Sequence, residues 1–432
     1  MQANLPGKNV VTDTFKAGFA AIDITPQPGG IMQGCMRRNA IAETVDHPLY
    51  ARAAVFDGGL GQAAIIQLDL LSIRWTQTNA FRSAIEKLYG FPGANIMVAA
   101  THNHRGPPVA NLADIPRDEE YLQVLTEKVV RLFGAAMQKM QPAKVGMESV
   151  LEWEVVSNRR VVKRNGLVGS PGVPPLYIDG PIDPEVAVLG VQDGQGRLMG
   201  MLVNHAMHPN AAGAGIGAGV PGWLELALRK TAGCPITIFL NGAAGNLQIH
   251  SVRQRLVESS ETELAEKLAR DVRAALQTMR FEEPVPIRMC RRTVDLPFRK
   301  ATPAEIGGTA PGAVRAGEPG MYDRVIPGLL ELIKKRGVNK AEVQALRIGQ
   351  RVYVAIPGEL FVELGLAIKE QCFPAHVVVV GYANGMVGYL PTRAAFLRGG
   401  YETTFTSSSR LDPSAGYILV DTAVALAREL TG

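Results

Sequence analysis

The chain has 432 residues, 47% of them hydrophobic and 20% charged, which is typical of a soluble globular protein and excludes a disordered chain. Its net charge of +5 comes from 45 basic and 40 acidic residues without a run of five like charges, so no nucleic-acid partner is expected. Residues 1–16 lack an apolar export signal and no stretch reaches the roughly 20 apolar residues of a membrane span, which predicts a cytoplasmic protein unless a signal was removed.

Strand and helix signals alternate in the first part of the chain. Residues 63–68 predict a strand, 76–89 an amphipathic helix and 95–100 a second, buried strand. Apolar residues at helical spacing then predict a long helix over 119–140. This alternation favours an α/β fold in which mixed β-sheets are layered with helices in a single large catalytic domain.

Two pairs of histidines follow predicted strands. His102 and His104 come directly after residues 95–100, and His205 and His208 follow a strand predicted over 199–203. Strand ends are where α/β proteins place chemistry, and imidazole is the commonest protein ligand for zinc. From the residue types alone, a metal site and a hydrogen-bonded pair without metal both remain open.

The later part of the chain continues the alternation, with two interruptions rich in glycine and proline. Residues 167–184 predict a long loop, and 301–324 predict a loop or an insertion. We expect residues 1–15 to be an N-terminal extension and 16–432 to form one domain. Further strands are predicted over 186–191, 235–240, 351–356 and 377–382, and further helices over 221–230, 259–279 and 421–430. The glycine- and alanine-rich residues 211–220 match no phosphate-binding pattern, and the four cysteines form no Cys-x-x-Cys pair.

Groups of compatible chemistry lie at four of the predicted strand ends, and with them the chain resembles the catalytic domain of the neutral, non-lysosomal ceramidases. Residues 101–107, Thr-His-Asn-His-Arg-Gly-Pro, are similar to the family's Thr-His-x-His-x-Gly-Pro segment. Residues 357–359, Pro-Gly-Glu, resemble the segment with its carboxylate ligand, and residues 206–208 resemble the segment with its second histidine. Tyr389 and Tyr401 keep the family's spacing of twelve residues between two active-site tyrosines (401 − 389 = 12).

The resemblance implies a zinc ion and a set of residues around it. The implied metal ligands are His102, His208, Glu359 and Tyr389, and the implied catalytic residues are His104, Arg159 and Tyr401. In this scheme His104 handles the proton of the attacking water, while Arg159 and Tyr401 stabilise the developing oxyanion. His205 stays outside the ligand set, as a neighbour of Asp69 or as a solvated side chain.

Three departures from the family pattern bear on the substrate. Gln248 stands where the family has an active-site serine, Arg105 and Pro108 replace smaller residues and predict a charged pocket entrance, and the family's C-terminal β-sandwich domain is not in this sequence. We therefore expect a zinc hydrolase that cleaves an amide smaller or more polar than ceramide. A metal-dependent esterase, lactonase or glycan-processing enzyme and a non-catalytic metal-binding protein are the alternatives. The expected partner is a small molecule, and the sequence leaves a homo-oligomer open.

Overall fold

The computed structural model describes residues 14–34, 40–59, 61–112, 115–210, 213–249, 260–283 and 285–432. Within these residues the chain forms a mixed α/β fold with two main β-sheets and flanking helices, which confirms the predicted fold class. None of the helices in the described ranges is long and apolar enough to cross a membrane. Residues 1–13 of the predicted N-terminal extension, Cys35 and residues 211–212 of the glycine-rich segment lie outside the description.

The strands, in chain order, are β1 (Lys16–Asp23), β2 (Tyr50–Asp57), β3 (Gln62–Leu68), β4 (Ile96–Ala100), β5 (Gln141–Leu151), β6 (Val156–Asn158), β7 (Val161–Lys163), β8 (Pro175–Ile178), β9 (Glu185–Asp193), β10 (Leu198–His205), β11 (Thr237–Asn241), β12 (Leu247–Ile249), β13 (Phe281–Glu282), β14 (Ile287–Pro297), β15 (Val338–Ile348), β16 (Arg351–Ala355), β17 (Glu359–Leu360), β18 (His376–Val380) and β19 (Tyr389–Leu390). The α-helices are α1 (Trp75–Tyr89), α2 (Glu119–Gln138), α3 (Gly219–Ala232), α4 (Glu261–Thr278), α5 (Pro303–Gly307), α6 (Met321–Arg336), α7 (Val362–Cys372), α8 (Arg393–Arg398) and α9 (Ala415–Thr431).

Over the described residues, the larger sheet has nine strands in the order β11-β10-β9-β5-β1-β2-β3-β4, with β13 paired to β5. Most neighbours are antiparallel, but β3 pairs with β4 and β10 with β11 in parallel. The second sheet has the order β14-β15-β16-β18, and its last pair is parallel. Each of the strands β4, β10, β11 and β18 therefore has a parallel neighbour. The loops that follow the carboxyl ends of parallel strands carry functional groups in α/β folds.

The two sheets pack face to face, and helices cover their outer faces. Phe56 and Leu189 of the larger sheet lie in one buried cluster with Tyr353 and Val378 of the second sheet. On the outer side of the larger sheet, α2 buries an apolar stripe that includes Leu125. Helix α9 buries a similar stripe against the second sheet. The layers are thus helix, sheet, sheet and helix, and burial of both strand faces explains the continuous apolar runs in the sequence.

Two predicted loops contain regular structure. Within residues 167–184, β8 pairs with β7 as an antiparallel hairpin, because apolar and β-branched residues flank the proline-rich turn. Residues 301–324 contain α5 and the first turn of α6. Helix α9 begins at Ala415, six residues before the predicted start, since the apolar Leu419 and Val420 already lie on its buried stripe.

Candidate metal centre

His102 is held in one orientation by backbone carbonyl groups at the end of β4. Its φ is 67°, its backbone N–H donates to the carbonyl oxygen of Leu70 at 3.0 Å, and its ring Nδ1 lies 2.8 Å from the carbonyl oxygen of Leu71. A carbonyl oxygen only accepts, so Nδ1 carries the proton and Nε2 carries the lone pair. The ring of Tyr382 stacks on the imidazole with ring centres 4.0 Å apart. The imidazole is therefore arranged as a metal ligand through Nε2.

Two further histidines point into the same small volume. The ring Nδ1 of His208 lies 3.2 Å from the carbonyl oxygen of Ala244, and the Nε2 of His104 lies 3.2 Å from the Nε2 of His102. One ring nitrogen from each of the three histidines lies within 4.8 Å of the others. Burial, with the positive charge of Arg159, lowers the pKa of His208 well below its usual range. Burial also lowers the pKa of His104 well below its usual range, so both rings are neutral at pH 7.

Glu359 and Tyr389 lie side by side because β17 and β19 pair in parallel with these two residues in register. The backbone N–H of Glu359 donates to the carbonyl oxygen of Gly388 at 2.9 Å, and that of Tyr389 donates to Ser408 at 2.7 Å. Gly388 has a φ of 99°, and a Cβ atom there would lie 2.3 Å from the carbonyl oxygen of Ser408. Only glycine fits this turn, which fixes where the tyrosine side chain begins.

The donor atoms fit a metal ion better than they fit one another. The Oε2 atom of Glu359 is buried and has no hydrogen-bond donor among the described residues, and it lies 3.4 Å from the Nε2 of His102. Because Nδ1 of His102 holds the proton, two lone-pair acceptors face each other, which is unfavourable without a positive centre between them. A proton between Glu359 and His102 would bridge these two acceptors, whereas a metal ion would also bind the free ring nitrogen of His208. Imidazole, carboxylate and phenolate donors suit zinc.

Behind Tyr389 lies a charged support formed by Arg159 and Glu402. The Nη2 of Arg159 donates to the Tyr389 hydroxyl at 3.2 Å and to the carbonyl oxygen of Gly245 at 2.9 Å, and its Nε donates to Glu402 at 2.8 Å. Burial, together with the charge of Glu359, raises the pKa of Tyr389 well above its usual range, so its phenolate form needs cations nearby. Sequence reasoning missed Glu402, and its one sequence signal is that it follows Tyr401.

A cavity of about 430 Å³ opens onto this centre. His102, His104, Glu359, Tyr389 and Tyr401 line it, and the ring centres of the two tyrosines are 5.7 Å apart. Its size is that of a small-molecule site. The other two predicted site residues, His208 and Arg159, contact this group from the protein side and do not line the cavity. The structure thus brings all seven predicted residues together. Five of them line the cavity, and the other two contact these residues from the interior of the protein.

The sequence prediction for Arg105 is wrong. Its guanidinium is buried and forms ion pairs with Asp46 and Glu261, each at 2.8 Å, and it does not line the cavity. A charged entrance therefore does not come from Arg105, because two carboxylates from distant segments neutralise it. Sequence alone does not show these pairings, since the partners lie 59 and 156 residues away along the chain.

Both predictions for His205 are also wrong. The side chain is fully buried, its Nδ1 lies 3.1 Å from the carbonyl oxygen of Glu185, and its Nε2 lies 3.9 Å from Glu152. Asp69 instead accepts from Arg52 at 2.8 Å. The residue stays outside the ligand set, as expected, but for a different reason: it terminates β10 inside the fold.

Gln248, which stands in place of the family's serine, lies in β12 and donates to the Ser157 hydroxyl at 3.3 Å across the pair formed with β6. It does not line the cavity. The amide is therefore occupied by a contact within this two-stranded sheet, next to the strand that leads to Arg159.

Comparisons with known proteins agree with the resemblance in the sequence. No protein-family profile matches the chain. The chain is 24% identical over 423 residues to a neutral ceramidase of Pseudomonas aeruginosa, an alignment that covers 79% of this chain and 61% of that protein. It thus spans less than two thirds of that relative's length.

Solved structures show the same fold. A crystal structure of neutral ceramidase from Pseudomonas aeruginosa is similar with a TM-score of 0.74 at 20% identity, covering 96% of this chain and 75% of the other. A ceramidase complexed with C2 is similar with a TM-score of 0.75 at 19% identity, covering 97% and 75%. The chain resembles neutral ceramidase in sequence, and its fold is that of the neutral ceramidase structures.

Proposed function

We propose that this protein is a zinc-dependent hydrolase that cleaves an amide bond in a small molecule. The observation that carries the proposal is the buried Glu359 oxygen, which lacks a donor and faces the Nε2 lone pair of His102 on the wall of a cavity. The likeness to neutral ceramidase in sequence and fold supports amide cleavage as the reaction class. Fold alone does not fix a reaction, so the arrangement of the side chains has the greater weight.

In this proposal His102, His208, Glu359 and Tyr389 hold the ion. A zinc ion bound there supplies a Lewis acid that polarises a carbonyl group and lowers the pKa of water to about 7. Arg159 acts as a positioning residue, because its guanidinium is hydrogen-bonded to the Tyr389 hydroxyl and fixed by Glu402. This differs from the oxyanion role expected from the sequence, since Arg159 does not line the cavity.

His104 is the proposed proton carrier. It lines the cavity beside His102, where it accepts a proton from the attacking water as the new C–O bond forms. It returns this proton to the amide nitrogen as the C–N bond breaks, and the products are a carboxylic acid and an amine. Tyr401, also on the cavity wall, donates a hydrogen bond to the carbonyl oxygen as negative charge develops there.

The ring of His104 lies as close to His102 as a third imidazole ligand would, and one substitution distinguishes the two roles. His104→Ala is expected to keep the zinc and to lower turnover by about 10²-fold or more, because general acid–base catalysis contributes that much. Loss of the metal in this variant would instead make His104 a ligand.

The substrate is expected to be smaller or more polar than ceramide. Polar side chains form part of the cavity wall, namely Asn111, Asn339, Ser407 and Ser408, beside apolar residues that include Leu71, Trp75 and Leu332. An alkyl chain contributes about 0.8 kcal/mol for each methylene that it buries, so a lipid enzyme gains from an apolar wall. Because the wall is only partly apolar and the cavity has the size of a small-molecule site, long-chain ceramide should be a poorer substrate than short acyl amides.

The proposal is tested by reconstitution. Protein stripped with a chelator should be inactive and should regain turnover in proportion to added zinc, measured on short acyl amides, their matched esters and a long-chain ceramide. Faster turnover of every ester than of its amide would favour an esterase. A ceramide specificity constant above about 10⁴ M⁻¹s⁻¹ and above those of the short amides would contradict the substrate class. Equal turnover by the stripped and the zinc-loaded protein would contradict the mechanism.

A further inference from the structure

Positive side chains gather on the wall of the cavity that opens onto the metal centre. Among the described residues, five basic ones line it: Arg74, Arg117, Arg336, Lys340 and Arg410. In the part of the chain that the structure describes, the acidic side chains on the same wall are Glu359, which belongs to the metal centre, and Glu342. The positive charges come from four separate segments of the chain, so only the fold brings them together.

Some of these charges are already neutralised. Arg117 pairs with Glu119 at 2.6 Å, and Lys340 pairs with Asp295 at 2.8 Å. Glu342 is itself taken by Arg82 and Arg291, each at 2.8 Å. Three arginines therefore remain without a carboxylate at ion-pair distance in the described ranges: Arg74, Arg336 and Arg410.

Arg74 and Arg410 are half-buried, and their guanidinium groups reach only neutral acceptors. Arg74 donates to the carbonyl oxygens of Met386 at 2.7 Å and Asn111 at 3.2 Å. Arg410 donates to the carbonyl oxygen of Ser407 and, at 3.1 Å, to the side-chain oxygen of Asn339.

The surroundings oppose the charge of Arg410. Burial, with the positive charges of Arg74 and Arg336, lowers the pKa of Arg410 to about 9. Like charges held together in a partly desolvated wall are costly, and a bound anion removes that cost.

We infer that the substrate carries an anionic group, and that Arg74, Arg336 and Arg410 bind this group while the amide faces the metal centre. The inference rests on the proposed function, which identifies the reacting bond as an amide. It adds a second feature of the substrate, an anionic group by which the enzyme recognises it. The planar guanidinium fork matches a carboxylate, sulfonate or phosphate, which share the geometry of paired oxygens. Trp75, Val387 and Leu332 lie on the same wall, where a short apolar part of the substrate can contact them.

The experiment measures binding separately from turnover. Calorimetric titration compares N-acetyl-leucine with its neutral analogue N-acetyl-leucinamide, first on zinc-loaded protein and then on protein stripped of metal. N-acetyltaurine and N-acetyl-phosphoethanolamine test the sulfonate and the phosphate. At least one anion should bind about tenfold or more tightly than the neutral analogue in both forms of the protein, since charged hydrogen bonds contribute that much. The strongest of the three identifies the group.

Variants locate the anion. Arg410→Gln should weaken anion binding by about tenfold and leave binding of the neutral analogue unchanged. Arg336→Gln should act in the same direction, and it is the safer substitution because Arg336 is exposed on α6. Lys335→Gln is the matched control, since this exposed neighbour on the same helix does not line the cavity. If Arg410→Gln fails to fold, Arg336→Gln decides.

The binding measurements either support or overturn the proposed anion site. Equal binding of charged and neutral ligands, or a preference that disappears with the metal, would overturn it. An equal loss of binding in Lys335→Gln would overturn it too, because general attraction to a basic surface would explain the preference. Anion binding that depends on the arginines supports it even if no amide is hydrolysed, and that combination would reject the proposed function alone.

Discussion

Backbone carbonyl groups orient two of the histidines of the centre. The Nδ1–H of His102 is directed to Leu71 and that of His208 to Ala244, so each ring presents Nε2 to the same point. A backbone acceptor cannot rotate away, which keeps the tautomer fixed. The centre is therefore formed by the fold before any ion arrives.

This arrangement predicts the effect of removing one imidazole. His102→Ala and His208→Ala should each abolish stoichiometric zinc binding, because each removes one of the four proposed ligands. Metal content is measured by mass spectrometry on the purified variants. His376→Ala, which alters a histidine at the start of β18, should keep the metal. Full zinc content in both site variants would contradict the ligand assignment.

The two tyrosines should separate metal binding from turnover. Tyr389→Phe removes the phenolic oxygen next to Arg159 and should weaken zinc affinity by about tenfold or more. Tyr401→Phe should leave the affinity unchanged and lower kcat by about 10²-fold, as expected for loss of one oxyanion donor. Chelator competition gives the affinity, and steady-state kinetics give kcat. An unchanged affinity in Tyr389→Phe would remove that residue from the ligand set.

At the scale of elements, Asn241 at the end of β11 joins the two histidine loops. Its side-chain NH₂ donates to the carbonyl oxygen of Thr101 at 3.0 Å, and its side-chain oxygen accepts from the backbone N–H of Met207 at 3.1 Å. Thr101 precedes His102, and Met207 precedes His208. One buried amide thus sets the distance between the two loops.

We predict that Asn241→Ala weakens zinc affinity by about tenfold or more, as loss of an outer-shell contact does. Asn204→Ala is a matched control, because Asn204 is also buried and donates to Leu240 and Val379 but contacts neither loop. Both variants should lose about 1–3 kcal/mol of unfolding free energy. If both lose zinc equally, general destabilisation explains the effect and the role of Asn241 is refuted.

The sequence predicts local elements well and their partners poorly. The strands leading to His102 and His208 follow from apolar runs, and the helices from residue spacing, because burial on a fixed face imposes those patterns. The parallel register of Glu359 with Tyr389 has no local signal, since the pairing involves segments 30 residues apart. The sequence likewise does not distinguish the roles of Arg105 and Arg410. In the fold, ion pairs neutralise Arg105, whereas Arg410 lines the cavity.

At the scale of the whole molecule, Glu185 connects the two sheets. It begins β9 of the larger sheet and accepts from His376 at 2.6 Å and Lys369 at 2.7 Å, residues of β18 and α7. Burial opposes its ionisation, but the hydrogen bonds from His376 and Lys369 outweigh burial and hold its pKa below the usual range. A carboxylate with a lowered folded pKa stabilises the fold above its unfolded pKa of about 4.3 and loses that contribution as pH falls further.

Glu185→Gln should therefore lower the unfolding free energy at pH 7 by about 1.5–3 kcal/mol, and the difference from the unaltered protein should shrink below about pH 4. Urea unfolding at pH 7 and pH 3.5 measures both values. Asp295→Asn, at an exposed pair with Lys340, should change little at either pH. A difference that grows on acidification would contradict the sign of the pKa change.

The central claim is that four residues from separate strand ends hold one zinc ion. Diffraction data collected above and below the zinc absorption edge on crystals of the zinc-loaded protein test it most directly. We predict a single anomalous peak about 2.0–2.2 Å from the Nε2 atoms of His102 and His208, a carboxylate oxygen of Glu359 and the phenolic oxygen of Tyr389. A peak elsewhere, or no peak at this position in protein that contains stoichiometric zinc, would contradict the account.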